Sequence, residues 1–298
     1  MRVISALGPA LLVVLCSSAP ADPAADAAVR AAVVKGALGT YDNAPRGKDG
    51  RVDLDRLLRE LADLKANTYH WMIWHANTDW EDLQAFLPKA KEAGIRVWVT
   101  LVPPSESPPK TKSFSEPFRV DYVRWGEEIA RLSLKEPALV AWSVDDFVHN
   151  LKETFTPEKT KAILDAARAI NPKLAFVPCT YYRQITPAFA KAYGPLLDGV
   201  LFPYRNESVK ADLKDPGQVE AEVKSIREKL GPGVPVILDV YATAHSRLGD
   251  STPEYVRAVI EAGRKCADGV LIYCHQDPER SREKYQVIRD TFRKGAGN

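Results

Sequence analysis

After its first residues the sequence has no run of the roughly 18 uninterrupted apolar residues that a membrane-spanning helix needs, so no transmembrane segment is expected. It has no block of like charge. The 41 Lys and Arg are interspersed with 39 Asp and Glu, which excludes the basic stripe that binds nucleic acid and argues against a polyanion held mainly by charge. It has no Gly-rich nucleotide loop: Gly36-Ala37-Leu38-Gly39 lacks the third glycine and the helix start that should follow. No cofactor is therefore expected. Cysteine is scarce, and its four residues include Cys16 near the N-terminus.

That N-terminus reads as an export signal. Arg2 supplies the charge, Ala10 to Cys16 an apolar run, and Ala19-Pro20-Ala21 an A-x-A cleavage site, which makes residues 1–21 a signal peptide and the product exported, periplasmic or extracellular. Lipoprotein anchoring through Cys16 is the rival, disfavoured because the bulky Leu15 sits where a small residue is wanted. Cleavage leaves Cys179, Cys266 and Cys274, an odd number. If residues 269–273 form a strand, Cys266 and Cys274 lie near its opposite ends, beyond disulfide reach, so buried free thiols are expected.

Residues 22–298 suffice for one domain, since an α/β barrel takes about 250. Apolar, β-rich runs recur at Val33–Gly39, Thr68–Trp74, Val97–Val102, Leu139–Val144, Leu174–Val177, Gly199–Phe202, Val236–Val240 and Gly269–Tyr273. Between them lie segments of helical period, the clearest being Asp53–Lys65 with its stripe of Leu54, Leu57, Leu58, Leu61 and Leu64. Thr156-Pro157, Thr186-Pro187, Asp215-Pro216, Thr252-Pro253 and Asp277-Pro278 each set a capping side chain before a proline, the signature of a helix start. Leu197-Asp198-Gly199-Val200-Leu201-Phe202 echoes Ala267-Asp268-Gly269-Val270-Leu271-Ile272, a weak repeat of one βα turn. Eight such units predict an α/β fold, a single (β/α)8 TIM barrel over 33–294, with the first and eighth strands paired. Residues 22–32 are read as a linker or loosely docked helix, and 295–298 as a frayed tail.

In such a barrel, binding and catalysis sit at the C-terminal ends of the strands. The exits there carry Tyr41 and Asp42, Trp74 and His75, Glu106 in a Pro-rich loop spanning 103–117, Asp145 and Asp146, Tyr181, Tyr204, Arg205 and Glu207, Asp239 and Tyr241, and Tyr273 and His275. The long loop is a lid, a subsite wall or, equally, a tolerated insertion. Carboxylates, amides and aromatic rings around one mouth suit a sugar, whose hydroxyls need polar partners and whose C–H faces stack on rings. Trp74 and Trp142 are the expected sugar platforms. Four histidines, His75, His149, His245 and His275, fall near these exits and invite a metal-dependent hydrolase. However, no H-x-H or H-E-x-x-H occurs, and no metal site is expected.

Through Ala141-Trp142-Ser143-Val144-Asp145-Asp146-Phe147 at the fourth strand, with Asp239 at the seventh, the chain resembles the (β/α)8 glycoside hydrolases and the hydrolase-like barrels related to them. The resemblance implies an acid at the end of strand four, matched by Asp145 or Asp146, and a second carboxylate on a later strand, matched by Asp239 or Glu207. The sequence departs from the family in having no Asn-Glu pair on strand four and no D-x-x-D-x-D-x-E run. Adjacent aspartates on an extended strand alternate faces, so only one of Asp145 and Asp146 is expected to face the pocket. The expected activity is cleavage of a glycosidic bond in a carbohydrate substrate; the alternatives are a barrel that binds glycans without cutting them and a metal-dependent hydrolase.

Overall fold

The computed structural model describes residues 22–294; residues 1–21, expected as a signal peptide and including Cys16, and residues 295–298, expected as a frayed tail, lie outside the described residues. Helix α1 (Pro23–Val34) precedes eight parallel strands: β1 (Ala37–Tyr41), β2 (Thr68–Ile73), β3 (Arg96–Leu101), β4 (Leu139–Val144), β5 (Ala175–Phe176), β6 (Val200–Pro203), β7 (Val236–Tyr241) and β8 (Gly269–Tyr273). Each strand is followed by a helix: α2 (Leu54–Leu64), α3 (Asp79–Glu92), α4 (Tyr122–Lys135), α5 (Pro157–Ile170), α6 (Pro187–Tyr193), α7 (Val219–Leu230), α8 (Pro253–Cys266) and α9 (Arg282–Arg293). β1 pairs with β8 in register from Ala37↔Gly269 to Tyr41↔Tyr273. The ring closes between β5 and β6, where Thr180 N–H donates to Leu201 O (2.8 Å) and Leu201 N–H to Pro178 O (3.1 Å). The result is a (β/α)8 barrel, as the alternating pattern predicts.

Six strands fall within one residue of their sequence boundaries at each end; β1 is displaced and β5 is halved. The first begins at Ala37 rather than Val33, because the alanine-rich segment forms a helix that takes Val33 and Val34 with it. Asp22 caps that helix by accepting from Ala24 N–H, with Pro23 in the first turn. Of the two readings of residues 22–32, the helix is the one observed, and it is docked rather than loose. Arg30 reaches Asp198 (2.8 Å) and Pro172 O (2.6 Å), and Val34 joins the cluster inside the barrel, closing its floor. β5 keeps only two ladder residues, and Pro178 just beyond has no N–H to pair.

Thr156, Thr186 and Thr252 cap α5, α6 and α8 as expected. Asp215 and Asp277 instead close turns, accepting from Gly217 N–H (2.8 Å) and from Glu279 and Arg280 N–H (2.8 and 2.9 Å), and α7 and α9 start later. All three described cysteines are free. Cys266 ends α8 and Cys274 follows β8, so the strand separates them; only Cys179 is fully buried.

The echoed turn has a physical role. Asp198, ahead of β6, accepts from Phe176 N–H of β5 (2.9 Å) and Arg168 of α5 (2.8 Å). Asp268, ahead of β8, accepts from Val236 N–H of β7 (2.9 Å) and Arg227 of α7 (2.7 Å). Each aspartate ties the start of its own strand to the preceding strand and to the helix that leads into that preceding strand, at the barrel floor. Asp198→Ala would leave Arg30 and Arg168 unpaired in a buried setting and is expected to cost about 3–5 kcal/mol in urea unfolding; a loss under 1 kcal/mol would refute the clamp.

Candidate active site

Alternate strand residues face the barrel interior. Ala141 does so on β4 and Ile237 on β7, which puts Asp145, Asp239 and Tyr241 on the same inward parity. Asp146 has the opposite parity, yet both aspartates line the pocket at the mouth. The strand ends at Val144, and Asp146 adopts a left-handed backbone (φ 43°, ψ 34°) that swings its carboxylate round to join Asp145. The expectation of a single inward aspartate fails because it assumed an extended chain. Asp42, Asn43 and Asn206, at the exits of β1 and β6, also have positive φ. Such conformations cost about 1–3 kcal/mol each in non-glycine residues and gather where side chains must be aimed.

Oxygens of Asp145 and Asp146 and the Cys179 sulfur lie within 4.8 Å of one another. Asp145 keeps a partial opening to the pocket but is otherwise ringed by protein. Burial, and then the Asp146 and Glu106 carboxylates, push it up to about 8. At Asp146 burial acts in the same direction, but hydrogen bonds from His149 and Tyr181 outweigh it and hold the group below its ordinary range. Tyr181 Oη donates to Asp146 Oδ1 at 2.5 Å, and His149 Nδ1 lies 3.3 Å from Oδ2. Burial and then Asp146 raise Glu106 to about 7. Asp239 is pushed well above the carboxylate range by burial and then by Asp145, and its Oδ1 has no partner among the described residues. Among Asp145, Asp146, Glu106 and Asp239, therefore, Asp146 is the one held in its ionised form, beside three carboxyls whose hold on a proton is strengthened.

The pocket encloses about 350 Å³. Of the sequence-predicted residues, Tyr41, Asp42, Trp74, His75, Asp145, Asp146, Tyr181, Asp239, Tyr241 and Tyr273 line it. Five do not. Trp142, on the outward parity of β4, is buried against Phe176 in the layer under the helices. Tyr204 is fully enclosed and donates to Asp215 O (2.7 Å). Arg205 lies over the Tyr181 ring at 3.9 Å and pairs with Glu207, which also accepts from Arg183 N–H (3.1 Å). Glu207 is thereby committed to positioning arginines. His275 is buried between Thr40 (2.9 Å) and Glu60 (2.8 Å).

Glu106 and His149 are the participants that sequence reasoning gave no role. Glu106 stands in the Pro-rich loop, which is pinned to the mouth by Phe114 N–H on Trp74 O (2.8 Å) and by Ser105 N–H on Asn150 Oδ1 (3.0 Å). That makes the loop a wall of the pocket. His149 owes its place to the turn made at Asp146 three residues earlier, where it stacks on Tyr181 at 5.4 Å. His75 bonds Asp42 at 2.5 Å, a contact that raises its pKa against the opposing effect of burial. A metal would have to use Asp145, Asp146 and Cys179, the group of suitable geometry among the described residues. Burial also raises the Cys179 thiol, so a cation bound here would have to displace protons that burial favours on both Cys179 and Asp145.

No protein family and no curated protein matches the sequence. Solved structures do match. A GH5_18 protein from Streptomyces cattleya, solved with GlcNAc, superimposes with TM-score 0.61 at 14% identity over 87% of this chain and 80% of its own. An endoglucanase from Pseudomonas stutzeri gives 0.56 at 11% over 86% and 94%. A β-D-glucuronidase from Dictyoglomus thermophilum gives 0.58 at 15% over 87% of this chain, which spans half the length of that enzyme. The barrel is the fold of these glycosidases. At such identities the likeness extends to the fold alone. No described helix is long and apolar enough to cross a membrane.

Proposed function

We propose that the protein is an exported hydrolase of glycosidic bonds, with Asp145 as the general acid and Asp146 as the ionised partner. The observation that carries this reading is the pairing, in one mouth pocket, of a carboxyl kept protonated to about 8 with a carboxylate held ionised by Tyr181 and His149. Glycosidic cleavage needs these two states side by side: a proton for the leaving oxygen, and an anion that attacks the anomeric carbon or activates water. Trp74, Tyr241 and Tyr273 supply the rings on which a sugar stacks. Oxygens within 4.8 Å leave less room than the roughly 6.5–9.5 Å that inverting enzymes keep for a water, which favours direct attack by Asp146 and retention of configuration. Asp239, beneath them and protonated by burial, donates to a sugar hydroxyl.

The test is to purify the exported form, whose N-terminus is expected near Asp22, and to screen it against polysaccharides and aryl glycosides, following product configuration by NMR. Turnover with retention is expected. Glycan binding without turnover would replace this reading with that of a carbohydrate-binding barrel.

A further inference from the structure

The carboxyl pocket carries more acid than bond cleavage requires. Five carboxyl groups line it, Asp42, Glu106, Asp145, Asp146 and Asp239, and among the described residues no Lys or Arg does. Two of the five have an imidazole beside them: Asp42 bonds His75 at 2.5 Å, and His149 Nδ1 lies 3.3 Å from Asp146 Oδ2. His245, also on the wall, is held below its ordinary range by burial and then by Arg205, so it brings no charge near neutrality. Arg205 itself is committed to Glu207 and to the Tyr181 ring. Glu106, Asp145 and Asp239 are left without an ion pair of their own among the described residues. Asp239 stands out among these three. It is 2% exposed, lines the pocket, and its Oδ1 has no hydrogen-bond partner among the described residues. Buried polar atoms of this kind are normally satisfied, and one that faces a cavity is completed by what the cavity binds. Unpaired carboxyls crowded together are relieved by a cation. Trp74, Tyr241 and Tyr273 border the same space, and aromatic faces attract an ammonium group as well as sugar C–H groups. The even mix of charges over the whole chain does not bear on one locally acidic pocket.

We propose that the sugar bound in this pocket is an amino sugar with a free, protonated amine, its ammonium held by Asp239, so that the substrate is a cationic glycan. The proposal rests on the glycosidase reading for the glycan, whereas the ammonium site stands on the pocket alone. The hydroxyl contact given to Asp239 above is the one a neutral sugar makes. Before an ammonium, Asp239 loses its proton to solvent and Oδ1 accepts instead of donating. Asp145 keeps its proton and Asp146 its charge, so the pair that acts on the glycosidic bond is unchanged.

The test is calorimetric titration of the purified protein with D-glucosamine, in the presence of a chelator and at about pH 6.5, where a sugar amine, like an α-amino group, carries its proton. D-Glucose and N-acetyl-D-glucosamine are the neutral controls, and methylammonium is the free cation. Glucosamine is expected to bind about tenfold or more tightly than either neutral sugar, the scale of one charge-assisted hydrogen bond. Its binding should release a proton, read as a dependence of the heat on the ionisation enthalpy of the buffer. Asp239→Asn should abolish both the preference and the proton release. Equal binding of the three sugars by the wild type, or a preference that Asp239→Asn leaves intact, would overturn the proposal. A preference without proton release would assign the ammonium to a carboxylate already ionised and overturn the role of Asp239. Methylammonium bound as tightly as glucosamine would overturn the saccharide part. If glucosamine is preferred while neither amino nor neutral glycosides are cleaved, the hydrolase reading falls and the ammonium site stands; if neutral glycosides are cleaved and glucosamine is not preferred, the reverse holds.

Discussion

Asp145→Asn is expected to lower turnover of glycosides with poor leaving groups by about 10²- to 10⁴-fold, because the amide keeps the shape of the carboxyl but has no proton to release. Aryl glycosides with acidic leaving groups should lose far less, and that contrast identifies an acid rather than a binding group. The same substitution should stabilise the protein. The folded pKa of Asp145 is raised to about 8 by burial, so the folded state holds a proton that the unfolded chain releases near pH 4. Stability must then fall as pH rises between these values. Asn removes that dependence, so its melting temperature should exceed wild type by a margin that widens from pH 4 to pH 8. A mutant that kept wild-type rates, or whose stability followed pH as wild type does, would place the acid elsewhere.

Asp146→Asn should abolish turnover about as severely, and for good and poor leaving groups alike, since the anion acts whatever departs. Its partners set the pH at which it becomes available. In the wild type, kcat/KM should rise with the ionisation of Asp146, which is lowered, and fall as Asp145 loses its proton near 8. A hydrogen bond to a charged group contributes about 1.5–3 kcal/mol, so Tyr181→Phe should move the acid limb upward by about one to two pH units and leave the alkaline limb in place. His149→Ala should move it in the same direction. An unshifted acid limb in both variants would show that Asp146 does not own it.

The barrel was legible because each of its signals is local: parallel strands buried on both faces read as continuous apolar runs, and helices between them read as stripes such as Leu57, Leu61 and Leu64. The one displaced strand lay where helix propensity competed for Val33 and Val34. The site was legible only in part. Knowing that strand ends carry function located Asp145, Asp239 and the ring of tyrosines. Parity, applied one residue further, misjudged Asp146, because a single left-handed residue is invisible in the sequence when it is not glycine. Strand parity does explain Trp142: it is two residues from Val144 and shares its outward face, so the burial of its ring follows from alternation. The pairing of Glu207 with Arg205 and the approach of Glu106 depend on loop paths that no periodicity encodes.

The helix that closes the barrel floor also decides how the molecule presents itself. α1 docks on Asp198 at the end opposite the carboxyl pocket, and Arg293, at the close of α9, reaches back to Asp63 at the same end (2.7 Å). Both ends of the described chain therefore leave from the floor. A support or fused module joined at either of these ends would hold the barrel with its mouth turned away from the attachment.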